Sequence, residues 1–202
     1  MSFGFTSEVP VIRDAIDRAT MGSHPTLVLA AASNEGGNDG VSWPARHDRV
    51  ICVHATDSFG NKYQQNPSPS DPRNVFATLG QDVEVVVAPT RKETKSGTSV
   101  ATPVAAGIAA LTIACVRVRK KAYMAPSIRF GQSEKTRAAL TTAFNERVRR
   151  LGTCDGMSAV FRLMAGSDTT RDGYRYIRPW TILHGDYLHH SSLVDRVFEA
   201  AA

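Results

Sequence analysis

The chain has 202 residues, 42% hydrophobic and 21% charged, with a net charge of +5. That suffices for one domain with a real core, or a domain plus a tail, and excludes collagen, coiled-coil and low-complexity architectures. The basic balance suits an anionic partner, but no stacking-aromatic pattern or zinc-ligand spacing accompanies it, so nucleic-acid binding is not expected.

Ile12, Ala15, Ile16 and Ala19 repeat at helical spacing, with Arg13, Asp14, Asp17 and Arg18 opposite, and predict an amphipathic helix over roughly Val9 to Ala19. Leu27 to Ala32 is a continuous apolar run and suits a strand buried on both faces, as in a parallel sheet. Ser33 to Gly40 is a loop of turn formers. Val50 to Val53 reads as a second buried strand, Asn66 to Pro72 as another loop, and Val83 to Val87 as a third strand ended by Pro89. The Gly97-Thr98-Ser99 turn then opens a long helix reaching about Val118. This helix is apolar nearly all round, which predicts that it is enclosed. It imitates a membrane span, but Ala, Thr, Gly and Pro dominate it rather than Leu, Ile and Phe, so a buried core helix is expected.

Arg117, Arg119, Lys120 and Lys121 end that helix with a basic cluster suited to a helix C-terminus. Glu134 to Arg150 reads as an exposed helix with Leu140, Phe144 and Val148 on one side. The end of the chain carries an aromatic patch of Tyr174, Tyr176, Trp180 and Tyr187 and is expected to pack onto the domain. Alternating strands and helices make the class α/β, a mostly parallel sheet with covering helices. The expected division is a domain over 1–118 and a helical, aromatic extension over 119–202. The three cysteines Cys52, Cys115 and Cys154 are far apart and form no framework, and the N-terminus lacks a signal-peptide pattern. A cytoplasmic protein is the expectation. No acidic cluster assigns a metal site and no cofactor is implied.

The chemistry lies at Ser96-Gly97-Thr98-Ser99-Val100-Ala101-Thr102-Pro103-Val104-Ala105-Ala106-Gly107. Taken alone, Gly97-Thr98-Ser99 is an ordinary N-cap with Thr98 or Ser99 as the capping residue. A serine at that place also meets free backbone N–H groups and the positive end of the helix. Its hydroxyl can attack a carbonyl while nearby amides hold the oxyanion.

The full string, Gly-Thr-Ser-x-Ala-x-Pro-x-x-Ala-Gly, resembles the nucleophile motif of the subtilisin-like serine proteases. Ala30 to Gly36 is similar to the strand and loop that present the oxyanion asparagine in that family. Trp43-Pro44-Ala45, Val50 to Asp57, Phe76 to Gly80 and Val85 to Pro89 follow in the family's order. The resemblance implies Ser99 as nucleophile, Asn34 as oxyanion donor, and Ser2-Phe3-Gly4 as the edge beside which an extended peptide substrate lies. Ser33, His54 and Thr90 stand where glycines are usual.

The family orders its triad Asp, His, Ser. Neither an Asp-Thr/Ser-Gly turn nor a His-Gly-Thr helix start precedes Asn34, and none of the six histidines matches. His184-Gly185-Asp186 lies on the wrong side of the serine and reads as a turn. The expectation is therefore a fragment of a serine endopeptidase, inactive alone. Its partners would be a polypeptide substrate and the absent N-terminal half, with no nucleic acid and no membrane. The alternative is a non-catalytic peptide-binding or interaction remnant. A sheet without its first strands also predicts an open edge and self-association.

Overall fold

The computed structural model describes residues 1–37, 39–68, 75–129, 133–166, 173–183 and 192–202, the side chains of 126–129 and 192 excepted. The end of the expected Asn66–Pro72 loop, together with Tyr187, His184, Gly185, Asp186, His189 and His190, lies outside the described residues.

Helix α1 spans Pro10–Met21, and its proline sits at the start of the helix, where a missing N–H costs nothing. Strands β1 (Val28–Ala31), β2 (Val50–Thr56) and β3 (Val75–Leu79) follow, then β4 (Val83–Ala88) and β5 (Arg91–Lys95). Helices α2 (Thr98–Val118), α3 (Lys120–Arg129), α4 (Glu134–Leu151) and α5 (Cys154–Ala165) come next. Strand β6 (Arg175–Tyr176), a 3-10 turn at Pro179–Thr181 and helix α6 (Ser192–Ala200) end the described chain.

The main sheet has the order β1-β2-β3-β6 and is parallel throughout, with Val28 opposite Val50, Cys52 opposite Val75 and Phe76 opposite Arg175. Every residue of β2 is buried, as a central strand covered on both faces requires. The sheet is thus the mostly parallel one expected, but its third strand is different. Val83–Ala88 is a strand, yet it pairs antiparallel with β5 in a separate two-stranded sheet, and Val86 is 68% exposed. An apolar run marks a strand without naming its partner; here the Pro89-Thr90 turn folds the run back onto Arg91–Lys95. Val75–Leu79 takes the third place in the main sheet instead.

Helix α2 packs across β1, β2 and β3. Thr98, Ala101, Ala105, Ala109, Thr112 and Val116 are buried, and small residues such as Ala101 and Ala105 allow a close approach. The opposite face is not enclosed: Pro103, Ala106, Gly107, Ala110 and Ala114 are exposed and Leu111 is 53% exposed. This corrects the reading of a helix buried all round. By length and composition Thr98–Ala125 is able to cross a membrane, but a third of its most apolar window, 33%, is buried inside the protein.

The largest core cluster joins Ile51, Val53 and Phe76 of the sheet and Ala101, Ala105 and Ala109 of α2 to Phe144, Leu151, Met157, Phe161, Ile177 and Phe198. Residues from both sides of position 118 therefore build one core. Ile16, Ala30, Val41, Trp43 and Val50 form a smaller cluster beneath α1.

Candidate active site

The site forms where β1 ends and α2 begins. Gly97 caps α2 with φ 135°, a backbone conformation that glycine adopts readily. A Cβ there would also lie 3.1 Å from the Asn34 amide. Gly80 permits the same crowding from below: its carbonyl accepts from Gly97 N–H at 2.7 Å, and an added Cβ would meet the Ala101 methyl at 2.7 Å.

Neither Thr98 nor Ser99 acts as the helix cap, contrary to the simplest reading of the tripeptide. Thr98 is the first helical residue, after the Gly97 cap, and its N–H is satisfied from the loop that follows β1. Asn34 Oδ1 accepts the Thr98 N–H at 2.9 Å, while the Thr98 hydroxyl donates to the Ser33 carbonyl at 3.2 Å. These two bonds lock the residues after β1 to the first residue of α2. They also fix the amide orientation of Asn34, because an oxygen turned toward Thr98 leaves the Nδ2 group as the outward donor.

The other donors of the first helical turn can be accounted for in the same way. Val100 N–H and Ala101 N–H both bond to the Gly97 carbonyl, at 3.0 and 3.1 Å. The Ser99 N–H has no partner among the described residues. A free amide and the positive helix end thus meet at Ser99, and Asn34 lines the same cavity as Ser99. That arrangement can hold negative charge developing on a carbonyl oxygen.

The wall facing this turn is the segment running from Met1 to Phe5. Met1 pairs with β1 through Leu29 O and Ala31 N, at 2.6 and 3.0 Å, and Phe5 exchanges two bonds with Trp43, at 2.7 and 2.9 Å. Between those anchors Ser2, Phe3 and Gly4 are exposed, and Ser2 Oγ donates to the Ser99 carbonyl at 3.1 Å. Ser2 to Phe5, Asn34 and Ser99 line one open cavity of about 640 Å³, with Glu35 and Asp39 also on its wall. The structure thus brings together all five residues singled out in the sequence: Ser2, Phe3, Gly4, Asn34 and Ser99.

Of the three glycine replacements, Ser33 has φ 157°, at the margin of extended backbone, and its hydroxyl accepts the Glu35 N–H at 3.2 Å. Thr90 lies in the turn between β4 and β5. His54 is wholly buried on β2, with its ring 4.5 Å from that of Tyr174 and 3.8 Å from Cys52 Sγ. Burial pushes its pKa down to about 3, against a smaller opposing pull from the Phe76 backbone, and Nε2 has no hydrogen-bond partner. His47 pairs with Asp17 at 3.5 Å, and His24 lines a different cavity near Arg117. None of these three histidines lines the Ser99 cavity. Among the described residues, no three His, Cys, Asp or Glu side chains converge to hold a metal ion.

Over 129 residues the chain is 33% identical to a thermostable alkaline protease of Halalkalibacterium halodurans, covering 64% of this chain and 33% of that protein. Subtilisin DY of Bacillus licheniformis is 32% identical over 125 residues, 56% of this chain and 41% of its own. The chain thus spans between a third and two fifths of the length of these relatives. Among solved structures, a point mutant of the protease domain of PatA superposes with a TM-score of 0.61 at 20% identity, over 92% of this chain and 59% of that one. The prenylagaramide maturation protease PagA gives 0.59 at 16% identity, over 99% and 58%. At these identities the two likenesses are ones of fold. The sequence pattern of the Subtilase family matches residues 1–152, three quarters of the chain and well past the motifs around Ser99, and to that family the chain belongs.

Proposed function

We propose that this chain is the nucleophile-bearing part of a subtilisin-like serine endopeptidase, and that it acts on polypeptides only when an N-terminal part supplies the aspartate and histidine. The observation that supports this reading is the Asn34–Thr98 bond at 2.9 Å, which ties Asn34 to the turn that carries Ser99 and its unpartnered amide. In the proposed step Ser99 Oγ adds to the scissile carbonyl carbon. The carbonyl oxygen becomes an anion held by Asn34 Nδ2 and Ser99 N–H, and the hydroxyl proton passes to the histidine. Collapse expels the amine, which takes that proton, and water then releases the acyl group. The peptide lies along Ser2-Phe3-Gly4. Residues 1–118 carry the site, and 119–202 are an extension packed on it.

The apolar cleft of about 510 Å³ between α1, the edge of β1 and the exposed face of α2 supports a further part, since Ile12, Ile16, Leu29, Pro103 and Ala106 line it. Without a base the hydroxyl loses general-base assistance, typically worth about 10²–10⁴-fold, and more where triad members act as a unit. The isolated chain is therefore expected not to hydrolyse casein or peptide amides. Joined to the N-terminal half of a homologous protease it should gain turnover that Ser99→Ala abolishes. Asn34→Ala in the joined enzyme should lower kcat with KM nearly unchanged; the loss known for the oxyanion asparagine of subtilisin is about 10²–10³. Turnover by the isolated chain that needs Ser99 but survives replacement of all six histidines would defeat the reading.

A second reading rests on the exposed Ser2–Phe5 segment: a peptide edge needs no base, so the chain can be a non-catalytic peptide-binding remnant. Saturable peptide binding by a joined chain that never turns over would favour it.

A further inference from the structure

Pro103 is the sixth residue of α2, too far along for its missing N–H to fall among the unpaired first-turn donors. In an α-helix the N–H of residue 103 would bond to the carbonyl of residue 99. Proline has no N–H, so the carbonyl of the proposed nucleophile is left without its helical partner. The Ser2 hydroxyl donates to that same carbonyl at 3.1 Å, across 97 residues of chain.

The place of Ser2 gives this bond its effect. The Met1–Phe5 segment is pinned at Met1 to β1 and at Phe5 to Trp43, with Ser2 between the two anchors. The Ser2 hydroxyl makes the segment's one hydrogen bond to α2 among the described residues. It joins the edge along which a peptide would lie to the turn that holds the Ser99 hydroxyl and its free amide. We infer that Ser2 is a positioning residue: its hydroxyl, bound to the carbonyl that Pro103 leaves open, holds the nucleophile turn in register with the peptide edge. Pro103 is the second half of the device, because a helical N–H at that position would compete for the acceptor.

This inference rests on the peptidase reading for its catalytic consequence but not for its structural one, and the two can be tested apart. In the isolated full-length chain, Ser2→Ala should speed hydrogen exchange of the Val100 and Ala101 amides, both bonded to the Gly97 carbonyl, by about threefold to tenfold, the range of one modest hydrogen bond. Ser2→Thr keeps the hydroxyl and should exchange like the parent. Adding Pro103→Ala to Ser2→Ala should slow exchange again, because the substitution offers the Ser99 carbonyl a helical N–H. In the chain joined to a homologous N-terminal half, Ser2→Ala should lower kcat by a similar factor at constant KM. Unchanged exchange in Ser2→Ala overturns the inference, as does a raised KM at constant kcat, which would make the hydroxyl a substrate contact. A joined chain with no turnover at all removes the peptidase reading, and the exchange measurements then decide the inference alone.

Discussion

The two edges of the main sheet are finished differently. At one, β3 pairs with β6, and α5, α6 and the 3-10 turn close over it with Phe161, Ile177, Ile182, Val197 and Phe198 in the large cluster. At the other, β1 has only Met1 along part of its edge among the described residues, with an apolar cleft beside it and the open face of α2 beyond. The candidate site lies toward the open edge. The large aromatic residues of the core gather toward the closed edge, and the proposed catalytic residues lie toward the open one.

The comparison is sharpest in a core truncation on the closed side. Phe161 is fully buried, with its ring 5.4 Å from that of Phe76. Phe161→Ala is expected to cost about 3–5 kcal/mol in urea denaturation. A cost under about 1 kcal/mol would mean that the closed side does not dominate stability.

A pH titration probes the middle of the sheet. The folded pKa of His54 is about 3, against an ordinary 6.5. The unfolded chain therefore takes up a proton below about 6.5 that the folded chain refuses, so this stability is present above 6.5 and lost as pH falls toward 3. At pH 4.5 the expected loss is about 2–3 kcal/mol, and His54→Gln should flatten that part of the profile, read by thermal melts across the range.

Smaller effects belong to the open side. Asn34→Ala removes the acceptor from the Thr98 N–H and should destabilise the isolated chain by about 1 kcal/mol, the usual worth of a helix cap. Leu111→Ala, at a residue 53% exposed on α2, should change stability by less than about 0.5 kcal/mol in the isolated chain. The purified chain should bind a hydrophobic dye or self-associate, and a supplied N-terminal half should suppress both. A monodisperse monomer that binds no dye would show the open side to be an ordinary surface.

The candidate site was legible to the extent that a helix-opening turn constrains residue type over a short stretch. Gly97, Ser99 and the small residues after them are readable in order, while Asn34 stands out only through the family resemblance of Ala30 to Gly36. Helix α5 was not among the expected elements, although Met157, Val160, Phe161 and Met164 carry a helical spacing. What Thr98 and Ser2 touch was not legible, because those bonds cross 65 and 97 residues of chain.

The α/β class, the strands β1 and β2, the long helix and a candidate nucleophile at its start could be read from the chain, since periodicity, turn residues and motif spacing are local properties. Only the tertiary structure decided that Val83–Ala88 leaves the main sheet, that the last third of the chain closes one core, and that one face of α2 stays open. Strand partners and helix cover depend on which distant surfaces meet, and an apolar residue reads the same in the chain whether or not anything comes to rest on it.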